Sequence, residues 1–289
     1  MTIAYTLLLR QLSTEILLVG RDKTKAEGEA MDMTHAQAFL PAPMDIIAGD
    51  LEDVAGSDVV VIAASVPVPD DIKDRNDLAR QNADLMREIL PKIAKAAPDA
   101  IILLVTNPVD ALTWQAIELT GFPANRVIGT GTLIDSIRFR ELLSEMLEIH
   151  PQDLRAYILG ERGENQFPAM SVAQSGGERI DDTPERRALS EKAKGLGIEV
   201  FHKKGNTCYA IGLATAYVIE SILKDEKRTM PLSVKLDGYL GIDDVCLSLP
   251  VVVGKKGVER IIHPELSEEE SKAFQEAANV VREVITKIS

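Results

Sequence analysis

The segment Ile101–Arg140, IILLVTNPVDALTWQAIELTGFPANRVIGTGTLIDSIRFR, constrains this chain more than any other. It opens with a continuous apolar run, Ile101 to Val105, the pattern of a parallel strand buried on both faces. Pro108 cannot continue a strand ladder, so Asn107 is left at the strand's carboxyl end, the edge where open α/β sheets bind ligands. A second short apolar segment, Arg126-Val127-Ile128, ends in Gly129-Thr130-Gly131-Thr132, and Leu133 to Leu143 then reads as a helix. Asp135 and Arg138 are three residues apart and share one face of it. An acid and a base are therefore expected side by side near the end of a buried strand.

The motifs VTNPVD and GTGTLIDSIRFR closely resemble those of the lactate and malate dehydrogenases, and the likeness runs from about Thr2 nearly to the C-terminus. The resemblance implies an α/β architecture: a Rossmann-type dinucleotide-binding domain over residues 1–128, then an α+β substrate domain over 129–289. It also implies hydride transfer between a nicotinamide cofactor, NAD or NADP, and a small 2-hydroxy or 2-oxo acid, in a homo-oligomer, dimer or tetramer. On this likeness Arg138 anchors the substrate carboxylate, Asn107 orients substrate beside the cofactor, and Asp135 positions the catalytic base. Arg75, in DRNDL, matches an arginine that polarises the reacting carbonyl, where a guanidinium stabilises developing charge. Ala63 and Ala64, at the end of the apolar run Asp58–Ala64, fall against the cofactor, and Thr207, in GNTCYAIGL, falls against the substrate or caps a helix. The segment around Asp32 and His35 matches a helix at a subunit contact.

Several departures qualify these expectations. The chain starts with a helix-like stretch, Thr2 to Arg10, followed by a strand, Glu15 to Val19, whereas a dinucleotide-binding unit begins with a strand and a glycine-rich turn. No G-x-G-x-x-G lies between a strand and a helix. The first strand is central in the order 3-2-1-4-5-6, so its loss strands two neighbours inside the core. Each unpaired buried backbone group costs about 1–3 kcal/mol, against a total stability of about 5–15 kcal/mol. The expectation is either a natural polypeptide that starts upstream of Met1 or a degraded relative.

At the end of the second strand of such folds, Asp or Glu takes the adenosine ribose hydroxyls, while Arg serves a 2′-phosphate. Here Gly20 and Arg21 occupy that turn, which favours NADP over NAD, although Asp22 is adjacent. The loop Ser65–Lys73 departs from the family: the resemblance makes it about two residues longer, with no evident second arginine for a distal carboxylate; Lys73 is a point charge without a bidentate fork. The sharpest departure is GERGE, where Arg162 stands at the family's catalytic histidine. Histidine accepts a proton near working pH, but arginine stays protonated and cannot act as a base. An Asp135–Arg162 ion pair is expected instead. His35, His150, His202 and His263 each read as surface or structural residues. Two functional classes follow: a 2-hydroxy acid dehydrogenase, nearer the lactate branch, with weak or lost activity, and a non-catalytic subunit that binds small carboxylates or serves in assembly.

Composition narrows the rest. Among 289 residues, 32 are basic and 45 acidic, a net charge of −13, which opposes sequence-independent nucleic-acid binding. Cys208 and Cys246 lack metal-ligand spacing and are expected reduced, with no metal and a cytoplasmic location. The run Ile3–Leu9 is too short to span a bilayer. Towards the C-terminus, Asp244–Gly254 and Gly257–Ile262 alternate as a hairpin, and Ser267 with Glu270 forms a capping box for a helix to Ile288.

Overall fold

The computed structural model describes residues 1–66 and 75–289, with side chains from residue 78 onward in the second span. The first half alternates helices and strands: α1 (Thr2–Arg10), β1 (Glu15–Val19), α2 (Lys23–Ala36), β2 (Asp45–Gly49), β3 (Val59–Ile62), α3 (Arg75–Ala96), β4 (Ile101–Leu104), α4 (Val109–Thr120) and β5 (Val127–Gly129). The second half opens with α5 (Leu133–Leu147) and the short strands β6 (Leu154–Arg155), β7 (Ile158–Gly160), β8 (Gln166–Pro168), β9 (Gln174–Ser175) and β10 (Glu178–Arg179). It continues through α6 (Pro184–Lys204), α7 (Tyr209–Leu223), the long strands β11 (Arg228–Tyr239) and β12 (Ile242–Gly254), β13 (Gly257–Ile261) and α8 (Glu268–Ile288).

All four residues of β4 are buried, as its unbroken apolar run requires, and it lies parallel between β3 and β5. β5 then pairs antiparallel with β11 where Gly129 meets Ser233, and the sheet runs on through β12, β7 and β8, with β13 along β12. One sheet therefore crosses from the nucleotide-type half into the second half. α8 covers it with Phe274, Ala277, Ala278 and Val281, and its capping box between Ser267 and Glu270 is present.

Two sequence expectations change here. The run Asp153–Leu159 reads as one strand but is broken at Ala156-Tyr157 into β6 and β7, which belong to different sheets. The cause is α5: Ser136 Oγ accepts a 2.9 Å hydrogen bond from the Ile158 amide, and Thr132 Oγ1 donates to the Ile158 carbonyl at 2.5 Å. These hydroxyls draw Ile158 away from the register set by Leu154.

The other change concerns Asp58–Ala64, expected as a fully buried strand. Only Val59–Ile62 is strand, Val59 to Val61 are half-buried, and Ala63 and Ala64 lie beyond it, exposed. Among the described residues β3 pairs only with β4, and β1 only with β2, so the parallel strands form two sheets. The seam between them is packed by side chains: Ile16 and Leu18 share a core cluster with Val59, Val61, Ile101 and Leu103. Leu17 and Val60 pack against Val54, Ala97 and Ala100.

Candidate active site

The first turn of α5 carries Asp135, 5% exposed, at the carboxyl ends of β4 and β5. Its Oδ1 accepts a 2.9 Å hydrogen bond from Arg138 Nη1, the three-residue pairing anticipated from the sequence. Its Oδ2 lies 3.7 Å from Arg162 Nε, an ion pair without a hydrogen bond. The other end of the Arg162 guanidinium donates to Asn107 Oδ1 at 2.6 Å. Asn107, Asp135, Arg138 and Arg162 are thus one connected group, drawn from the β4 end, α5 and the turn after β7. Two guanidinium groups face one carboxylate, which leaves a positive charge to attract a small acid.

Residues absent from the sequence reading hold this group in place. Asp110, in the first turn of α4 and 3% exposed, accepts a 2.7 Å hydrogen bond at Oδ2 from the Arg162 amide and a 2.5 Å one at Oδ1 from Ser233 Oγ. Burial pushes its carboxyl up to about 7, while these two donors favour the charged form. Asn82 of α3, 1% exposed, donates to the Asn107 carbonyl at 2.8 Å and accepts from the Val66 amide at 2.9 Å. Gly131 has φ +48°, and a Cβ there would stand 2.4 Å from Ser248 Oγ and 2.6 Å from the Ser233 amide, so only glycine lets the turn before α5 press onto β11 and β12. Gly197 of α6 lies so close to Arg138 that a Cβ would stand 3.1 Å from Nη1. The signal for Asp110 is its place in NPVD, three residues after Asn107, and for Ser136 its place in LIDSIR, next to Asp135.

Other candidates lie elsewhere. The backbone of Arg75 begins α3, while its side chain lies outside the described residues, as does Lys73. Thr207 is exposed, shares no hydrogen bond with the group among the described residues, and does not cap α7, whose N-cap is Cys208. Gly20 and Arg21 form the exposed turn after β1. Gly20 has an ordinary backbone conformation, and a Cβ there would meet no atom closer than 3.8 Å. Asp22 is exposed and N-caps α2, accepting from the Lys25 amide at 3.0 Å through Oδ1. Lys23 pairs with Asp50 at 2.7 Å. Ala63 and Ala64 follow β3 and Asn107 follows β4, so these three residues lie at the carboxyl ends of neighbouring parallel strands. Among the described residues no group of three or more His, Cys, Asp or Glu is placed to hold a metal, and no helix is long and apolar enough to cross a membrane.

Comparison with known proteins agrees with this geometry. Residues 1–129 match the family model of the lactate/malate dehydrogenase NAD binding domain, and residues 132–289 that of the lactate/malate dehydrogenase alpha/beta C-terminal domain. An L-lactate dehydrogenase of Acetivibrio thermocellus is 38% identical, covering 98% of this chain and 92% of its own length. One of Gloeobacter violaceus is 37% identical, covering 99% and 89%. The crystal structure of a minor L-lactate dehydrogenase from Enterococcus mundtii superposes with a TM-score of 0.94 at 30% identity, covering 100% of this chain and 94% of that one. A lactate dehydrogenase from a Medee basin deep-sea metagenome library gives 0.94 at 33%, covering 99% and 94%. A buried acid–arginine pair at the carboxyl ends of a parallel sheet, both family models and end-to-end likeness to solved lactate dehydrogenases converge: the chain belongs to the lactate/malate dehydrogenase family of oxidoreductases.

Proposed function

We propose that this chain moves a hydride between a nicotinamide cofactor and a small 2-hydroxy or 2-oxo acid, nearer in preference to lactate and pyruvate than to malate and oxaloacetate. The observation that carries the reading is the connected group Asn107–Arg162–Asp135–Arg138 at the strand ends. Arg138, fixed by Asp135, anchors the substrate carboxylate with its free N–H groups, and Arg162 with Asn107 faces the reacting oxygen. Arg75 polarises that oxygen, as the likeness of its motif to the family implies. Nucleotide binding belongs to residues 1–128 and substrate binding to 129–289. The bound nicotinamide supplies the hydride acceptor or donor.

Arg162 cannot take up a proton, so turnover is slow against a relative that carries histidine, by about 10²–10⁴-fold. NADP is favoured over NAD. Gly20 is not required by its backbone, Asp22 is spent on capping α2, and Arg21 is exposed with no hydrogen bond or ion pair among the described residues. The turn thus offers a cation and no free acid to a ribose phosphate. The protein works in the cytoplasm as a dimer or tetramer, and the exposed Met31 and Phe39 on and after α2 suit a subunit contact.

The test is NADPH- and NADH-dependent reduction of pyruvate and oxaloacetate by the chain and by its Arg162→His variant. Slow pyruvate reduction that rises about 10²–10⁴-fold in the variant supports the reading. No turnover by either, with the fold intact, overturns it and leaves a carboxylate-binding subunit.

A further inference from the structure

What a ligand meets at this site is decided by which atoms are open to it. Asp135 Oδ2 and Arg162 Nε are sealed from solvent, and Asp135 Oδ1 is taken by Arg138, so neither carboxylate oxygen is free for a ligand. Both oxygens of Asp110 are taken as well, by Ser233 and by the Arg162 amide. The tips of the arginines remain. Arg162 and Arg138 keep 20% and 14% of their side chains exposed, against 7% for Asp135. Arg162 Nη2 and Arg138 Nη2 have no hydrogen bond among the described residues, and neither is sealed.

Asn107 completes the set. A guanidinium only donates, so the atom of exposed Asn107 that faces Arg162 Nη1 at 2.6 Å is its oxygen, and its amide nitrogen is left as a donor. The Asn107 backbone carbonyl is already used by Asn82 Nδ2 at 2.8 Å. Three residues therefore present N–H groups, with a net positive charge, and the one open side-chain acceptor among them is already engaged by Arg162. We propose that Arg162 makes this site selective for 2-oxo acids over 2-hydroxy acids, by leaving donors to face the reacting oxygen. The assignment rests on the reading of this group as the substrate site.

A carbonyl oxygen beside a carboxylate carries lone pairs and no hydrogen. It accepts from Arg162 and Asn107 while Arg138 holds the carboxylate. A hydroxyl oxygen can accept too, but its own hydrogen then meets no acceptor in the group, and a donor shut away unpaired is costly. Histidine at position 162, when neutral, presents a lone pair that takes this hydrogen. Arginine does not at any working pH. In the reducing direction the product is therefore a weaker ligand than the substrate.

The experiment measures binding apart from turnover. Calorimetry compares oxamate with L-lactate, each without nicotinamide and with NADPH or NADH, conditions in which neither is turned over. The two are alike in size and charge and differ at C2, where oxamate has a carbonyl and lactate a hydroxyl. Oxamate should bind about tenfold to a hundredfold tighter than L-lactate. Arg162→Lys, still only a donor, should keep that preference, and Arg162→His at about pH 8 should shrink it roughly tenfold. If Arg162→His does not fold, Arg162→Gln, whose amide oxygen accepts, takes its place. Equal affinities in the wild type overturn the proposal and leave the dehydrogenase reading to its own kinetic test. A preference that survives unchanged in Arg162→His does the same. Binding of neither ligand under any of these conditions, with the fold intact by circular dichroism, removes the proposal and the substrate site together.

Discussion

Arg162 is gripped by Asp110 through its backbone: the amide donates to Oδ2 at 2.7 Å beneath the pocket, which frees the guanidinium to reach Asn107 above it. The grip couples the site to pH. Asp110 holds its proton up to about 7, against an ordinary 3.8, because it is buried. The folded state therefore binds that proton more tightly than the unfolded chain between about pH 4 and 7. The stability this contributes is fully present below about pH 4 and is lost as pH rises through about 7, by about 4 kcal/mol at most. Asp110→Asn removes the titration and keeps the shape. Its denaturation midpoint should fall less than that of the wild type over this range, and denaturant melts at unit pH steps check it.

Ser136 is fully buried and satisfies both polar groups of the Ile158 peptide. Ser136→Ala leaves that amide unpaired in the core, and the expected loss is about 1–3 kcal/mol in chemical denaturation. Because Ile158 lies four residues before Arg162, kcat should fall as well.

Arg138 is expected to engage substrate as a fork. Arg138→Lys keeps the charge and loses one charge-assisted hydrogen bond, about 1.5–3 kcal/mol, so KM for pyruvate should rise roughly tenfold to a hundredfold. Steady-state kinetics on pyruvate shows it, with kcat changing less than KM.

Gly197 acts on the same guanidinium from α6. In Gly197→Ala the new methyl presses on Nη1 from 3.1 Å and displaces Arg138 by a few tenths of an ångström, so KM should rise severalfold with the fold intact. Larger residues at 197 should do worse in proportion to volume, as a panel of variants would reveal.

Gly20→Asp places an acid at the turn after β1, in a position with room for it. On the NADP preference proposed above, the NADPH-to-NADH affinity ratio should fall. Dissociation constants from nicotinamide fluorescence for both reduced cofactors give the ratio directly.

Much of this was legible in the chain. β4 and the Asp135–Arg138 pair follow from apolar runs, a proline and a three-residue spacing, all local properties. The likeness to the family added the position of Arg162. What stayed hidden depends on distant contacts. Ser233 lies 123 residues from Asp110, so no spacing announces their bond. The break between β6 and β7 escaped because Leu154 and Ile158 look alike in sequence, while the hydroxyls that separate them belong to another helix. The alternative of Thr207 as a helix cap fails because α7 begins two residues later, with Cys208 as its cap residue.

The seam between β1 and β3 means that residues 1–49 are fastened to the rest by side chains and helix contacts, with no shared backbone ladder among the described residues. Packing of this kind gives way sooner than a continuous ladder, so the molecule should open first along this line, as a separable cooperative unit. Amide hydrogens of β1 would then exchange through a partial opening while those of β4 wait for the whole molecule to unfold.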